Sequence, residues 1–206
     1  MENTIIAEKA ALVLVDMQVL AVKAFAASTP DLVPNTVAMV DFCHENKIPV
    51  IYTKLERRPD LRDIVSLCTD SALASKDPDN KGGSIFLEGG EDGAIIPELP
   101  LIPEDFLVIK KRQGAFYGSL LELYLRSLQV DTILFGGVAT QFGVEGTVRV
   151  ARDMDFNCVV LSDCCAAPTV ESHEYPLKNI FPNMARVMTS KQAREITINC
   201  FNQIIK

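Results

Sequence analysis

Residues 132–152 read TILFGGVATQFGVEGTVRVAR, and the hydrophobic period changes halfway along them. Residues 132–138 form a nearly continuous apolar run. Strands read this way when a parallel sheet buries both of their faces. From Gln141 to Arg152 the apolar and small positions Val144, Thr147, Val148 and Ala151 recur at helical spacing. A buried strand running directly into an amphipathic helix is the repeating unit of an α/β sheet.

The same alternation extends in both directions. Further strand-like runs fall at residues 11–16, 49–54, 106–110, 158–163 and 185–189. Helices are expected over 34–46, 119–128, 141–152 and 191–205. The first carries Pro34 in its opening turn. The second puts Glu122 and Arg126 at the favoured i,i+4 spacing. The last opens with Thr189 and Gln192 at capping-box spacing. The expected fold is an α/β three-layer sandwich, Rossmann-like, with a six-stranded, mostly parallel sheet, helices on both faces and right-handed crossovers. No internal repeat or domain boundary interrupts it, so a single domain is expected over residues 1–206. Residues 55–104 break the rhythm with prolines and the run NKGGSIFLEGGEDG, and read as a lid, a binding loop or an arm.

Composition removes several function classes. The chain has 206 residues, 48% of them apolar, enough for a sizeable core. Its formal net charge of −7 opposes phosphate backbones, so nucleic acid is not an expected partner. No apolar run is long enough to span a bilayer, and the N-terminus has no signal-peptide core. A cytoplasmic location without membrane association is expected. There are six cysteines and two histidines, with no C-x-x-C pair. Neither a metal site of standard spacing nor a disulfide framework is expected. His44 extends a helix stripe and is read as packing or as complementing the helix C-terminus. No G-x-G-x-x-G or Walker pattern follows a strand, so no nucleotide cofactor is implied.

Ligands of open parallel sheets bind at the carboxyl ends of strands. There the first strand ends in Asp16, followed by Met17 and Gln18, and the third ends in Lys110. A carboxylate and an ammonium in such places would each perturb the other's pKa. The fourth strand runs through Val138 and Ala139 into a helix whose first backbone N–H groups could hold an anion. Asp163 ends the fifth strand before Cys164, Cys165, Ala166 and Ala167, and is read as a residue that shapes the strand end.

These pieces, taken in order, resemble the isochorismatase-like hydrolase superfamily of isochorismatases, nicotinamidases and N-carbamoylsarcosine amidohydrolases. The resemblance rests on ALVLVDMQ at 11–18, PVIYTK, EDGAIIPEL, VIKKRQGAFYGS at 108–119, GGVATQFGVEGTVRVARD at 136–153 and VVLSDCCAA at 159–167, with His173 beyond. It covers nearly the whole chain and implies a hydrolase of a small-molecule substrate. Asp16 and Lys110 match the family's catalytic aspartate and lysine, K-x-R-x-x-A-F selecting Lys110 over Lys111. Gln18, Val138, Ala139 and Gly143 are implied as substrate-binding positions. A non-proline cis peptide is implied at Val138–Ala139, and a homo-oligomer through arms such as 55–104.

The family's nucleophilic cysteine falls where this chain has Gly143, as it does in isochorismatases. The resemblance therefore implies hydrolysis without a covalent cysteine intermediate, with Asp16 as general acid or general base and Lys110 as its electrostatic partner. Burial would raise the Asp16 pKa and suit an acid; the lysine would lower it and suit a base. The alternative is a catalytically silent binding or regulatory relative that kept the fold.

Overall fold

The computed structural model describes residues 4–64, 86–99 and 101–199. The strands are β1 (Ile5–Ile6), β2 (Ala10–Val15), β3 (Val50–Leu55), β4 (Phe106–Lys110), β5 (Thr132–Val138), β6 (Asn157–Ala166), β7 (Arg186–Met188) and β8 (Thr197–Ile198). The helices are α1 (Val19–Phe25), α2 (Leu32–Glu45), α3 (Leu121–Ser127), α4 (Glu145–Asp153), α5 (Val170–Tyr175) and α6 (Ser190–Ile196). β4-β3-β2-β5-β6-β7 form a six-stranded sheet in which every pairing is parallel. β1 and β8 form a separate parallel pair.

β2 shows why the sheet needs helices on both sides. All six of its residues are buried. Successive side chains point to opposite faces, so they divide between two cores. Leu12 and Leu14 pack with Met39, Val40 and Cys43 of α2 and Ala193 of α6. Ala11, Val13 and Val15 pack with Leu121 and Leu125 of α3 and with Val148 and Ala151 of α4. Each fully buried Val or Leu contributes about 1.5–3 kcal/mol. A continuous apolar strand is thus a strand with two helical layers to satisfy.

Gly137, near the end of β5, has φ +122, and a Cβ there would fall on the backbone of Val15. The close approach of β5 to β2 at this level requires glycine. The pairing of β5 with β6 also shifts register between Phe135 and Gly137.

Two expected helices differ in detail. The one expected over 141–152 begins as a π-helical turn, Thr140–Val144, and becomes regular only at Glu145. The one expected over 191–205 has the predicted Thr189–Gln192 capping box. It ends at Ile196, because the β-branched Thr197 and Ile198 turn extended and pair with Ile5 and Ile6. Residues 200–206 lie outside the described residues, as does the centre of the 55–104 segment. The described part at 86–99 lies against the end of β2: Val19 N donates to Ala94 O, and Ile96 N to Met17 O. No described helix is long and apolar enough to cross a membrane.

Candidate active site

β2 stops where Asp16 adopts φ +52, a left-handed conformation that aspartate tolerates better than most residues. Its N–H still donates to Thr53 O of β3 at 2.9 Å, so the residue is fastened to the sheet while its side chain turns away from the strand register. Lys110 closes β4, two strands away, and its side chain is completely buried. Its Nζ lies 2.8 Å from Asp16 Oδ2. The same ammonium donates to Arg112 O at 3.0 Å and to Gln113 O at 2.9 Å. All three N–H bonds of a lysine ammonium are therefore directed at fixed acceptors.

The carboxylate is less fully served. Asp16 Oδ1 is buried with no hydrogen-bond partner among the described residues. Burial is the larger influence on this group and outweighs Lys110, so the Asp16 pKa lies above its ordinary value.

Gly143 sits in the π turn that follows β5, beside this carboxylate. A Cβ at that position would lie 3.5 Å from Asp16 Oδ2, 3.3 Å from Val138 O and 3.1 Å from Val15 Cγ1. Any side chain at position 143 would thus begin next to the Asp16–Lys110 pair, and glycine leaves that space to other occupants. Val138–Ala139 is a cis peptide. The Ala139 carbonyl accepts from Phe142 N at 3.1 Å and Val144 N at 3.2 Å. Those two amides are thereby engaged within the turn itself.

Gln18 is placed differently from a substrate ligand. It is wholly buried, and its amide bridges two loops. Nε2 donates to Leu55 O at 2.9 Å and Gly93 O at 2.8 Å, while Oε1 accepts from Leu55 N at 2.9 Å. It ties the end of β3 and the 91–93 turn to the residue two beyond Asp16.

Four polar side chains around the turn had no separate role in the sequence reading. Thr140 Oγ1 and His173 Nδ1 are 2.9 Å apart and buried, and burial lowers the His173 pKa, favouring the neutral ring. Thr147, counted above among the packing positions of its helix, donates to Gly143 O at 2.6 Å and accepts from Ala115 N at 3.0 Å. Gln141 Oε1 is buried and has no partner among the described residues. The one signal available in sequence was a polar residue on an otherwise apolar helix face.

The remaining functional types are accounted for. Asp163 Oδ1 accepts from Ser190 N at 2.6 Å and Oδ2 from Ser190 Oγ at 2.8 Å, joining β6 to the start of α6. His44, at the end of α2, bonds Asp105 at 2.9 Å. Cys43, Cys158, Cys164 and Cys165 are free and buried. Burial pushes their thiols up, to about 11 for Cys158 and about 12 for Cys164, which keeps them in the weakly nucleophilic thiol form. Cys68 and Cys200 lie outside the described residues. Among the described residues, no group of three or more His, Cys, Asp or Glu could hold a metal ion.

Comparison with known proteins follows the same landmarks. The isochorismatase family protein YecD of Escherichia coli O157:H7 is 42% identical over 88 residues, 43% of this chain and 47% of that protein. The ureidoacrylate amidohydrolase RutB of Stutzerimonas stutzeri is 37% identical over 81 residues, 39% of this chain and 33% of that protein. The matched stretch thus spans about half, or less, of these curated relatives. The structure of an isochorismatase family protein from Burkholderia thailandensis superposes with a TM-score of 0.79 at 28% identity, covering 92% of this chain and 95% of that one. The isochorismatase domain profile matches residues 10–192, from the first residue of β2 into α6, and the chain belongs to that family.

Proposed function

We propose that the chain is an isochorismatase-family hydrolase of a small molecule that works without a covalent cysteine intermediate. In this reading Asp16 moves the proton and Lys110 fixes its carboxylate. The observation that carries it is the asymmetry of Asp16 beside Gly143: Oδ2 is held at 2.8 Å by Lys110 and lies toward the space at Gly143, while Oδ1 is buried with no partner among the described residues. A buried acceptor without a partner is costly, by about 1–3 kcal/mol, unless a ligand or water completes it.

The raised pKa of Asp16 favours the acid role, because the group holds its proton further toward neutral pH. As an acid it would protonate the terminal carbon of an enol ether. Water would then add to the resulting oxocarbenium, and the hemiketal would break down to a carbonyl compound and an alcohol. The opposite role, activation of water against an amide or ester, draws support from the relative RutB, an amidohydrolase by name. A silent binding relative is favoured by Gly143 and opposed by the intact Asp16–Lys110 pair. Val138, Ala139 and Gly143 form the wall beside the reacting atoms in this proposal. Gln18 acts one step back, by holding Leu55 and Gly93. A homo-oligomer in the cytoplasm belongs to the same proposal, with light scattering as its check.

The test is a screen of vinyl ethers, esters and amides with the wild type and Asp16→Asn. Turnover by the wild type that collapses in the variant supports the reading. Its pH profile then assigns the role: activity falling as pH rises through the Asp16 pKa marks an acid, the reverse a base. Ligand binding without turnover on any class overturns it in favour of the silent relative.

A further inference from the structure

Asp16, Lys110 and Gly143 come from three separate segments, and something must hold those segments in register. One route is visible in the hydrogen bonds. The Lys110 ammonium grips Asp16 on one side and the carbonyls of Arg112 and Gln113 on the other. Two residues past Gln113, the buried Ala115 donates its N–H to Thr147 Oγ1 at 3.0 Å. The same hydroxyl donates to the carbonyl of Gly143 at 2.6 Å. Thr147 is completely buried.

A helical threonine that bonds the carbonyl four residues back is common and by itself means little. The second bond is what distinguishes this one, since its donor lies 32 residues earlier in the chain, on a different element. A single hydroxyl, donating once and accepting once, therefore joins the loop that Lys110 grips to the turn that bears Gly143.

We propose that Thr147 is a positioning residue: its hydroxyl locks the 110–115 loop to the 140–144 turn, so that the Asp16–Lys110 pair and Gly143 keep one relative geometry. The functional side of this inference rests on the hydrolase reading above; the mechanical side does not. Thr147→Val keeps the shape and removes the hydroxyl, leaving the buried Ala115 N–H without its acceptor and Gly143 O without its side-chain donor. The loop then loses its anchor, and Lys110 is held less firmly against Asp16. Burial raises the Asp16 pKa, and Lys110 is the charged side chain that lowers it. Loosening the lysine should move the Asp16 titration to higher pH.

The experiment is a carboxyl ¹³C titration of Asp16 in the ligand-free protein, its signal assigned by its loss in Asp16→Asn. It is run on the wild type, Thr147→Val and Thr147→Ser. The valine variant should titrate at higher pH than the wild type, and the serine variant, which keeps the hydroxyl, should titrate with the wild type. Where a substrate is turned over, kcat of the valine variant should fall about tenfold to a hundredfold with KM little changed, while serine stays within about twofold. A folded valine variant with an unmoved Asp16 titration would overturn the proposal. So would a folded serine variant displaced from the wild type, whether or not the valine variant folds. A displaced valine titration in a protein that turns over no substrate supports the coupling and overturns only the hydrolase reading.

Discussion

Two aspartates of the same sheet, one just past β2 and one within β6, are built to opposite ends. Asp163, late in β6, has both carboxylate oxygens engaged by Ser190, through its N–H and its hydroxyl. Asp16, just past β2, has one oxygen against Lys110 and the other buried without a partner among the described residues. The first arrangement closes a joint between β6 and α6, and nothing remains to be done by the carboxylate. The second holds a carboxylate in place yet leaves an acceptor for a proton, a water or a substrate. Completed hydrogen bonding marks a structural acid, and an incomplete set in a buried place marks one available for chemistry.

The comparison can be broken most decisively at Asp16. Asp16→Asn should lower turnover by about 10²–10⁴-fold, the usual contribution of a proton-transferring group, with the far-UV circular dichroism unchanged. Full activity in that variant would remove Asp16 from the mechanism. At the other aspartate the expected loss is of stability, not rate. Asp163→Asn places an amide where two donors of Ser190 converge, and should cost about 1–3 kcal/mol in denaturant unfolding while leaving kcat intact. A rate loss equal to that of Asp16→Asn would erase the distinction between the two residues.

A smaller effect separates the states of Asp16 itself. A carboxyl raised above its ordinary value is more favourable in the folded protein when protonated. Its contribution is complete below the ordinary value of 3.8 and is lost as pH rises through the raised folded value. The asparagine variant stays neutral throughout. The melting temperature of the wild type should therefore fall relative to Asp16→Asn as pH rises from 3.8 toward neutrality, and the two curves should converge in acid. Curves that diverge in the other direction would show that Lys110 outweighs burial.

The smallest expected effect is none. The described cysteines are buried with raised thiol pKa values, and position 143 has no thiol. Iodoacetamide should leave turnover unchanged in protein that stays folded, and mass spectrometry should find no acyl-enzyme. A substrate adduct trapped on any cysteine would return the protein to covalent chemistry.

The two aspartates were also unequally legible. Both stand out in sequence as charges terminating apolar runs. The small residues after Asp163 hinted at a joint, but its partner, Ser190, is 27 residues away and carries no local mark. Their strand-end positions made Asp16 and Lys110 candidates for a pair, and resemblance to a family singled out Lys110 over Lys111, but nothing in residues 106–110 says which strand lies beside them. Gln18 was implied as a substrate-binding position by the resemblance, and its three amide contacts reach Leu55 and Gly93, which no local pattern marks. Thr147 fell on a packing stripe, and its role depends on a backbone N–H far away in sequence.

The alternation of buried strands with amphipathic helices and the capping box at Thr189 follow from residue periodicity and local hydrogen bonding. Those are local properties, so sequence alone determined them. The order β4-β3-β2-β5-β6-β7 is not local. It places β3 between the strands that end at Asp16 and Lys110, and the fully buried lysine side chain reaches across that gap. Which oxygen of Asp16 is held and which is left open was likewise decided by tertiary structure. Hydrogen-bond partners at strand ends come from whatever segments the packed helices bring there, and no residue's own neighbours in sequence encode that.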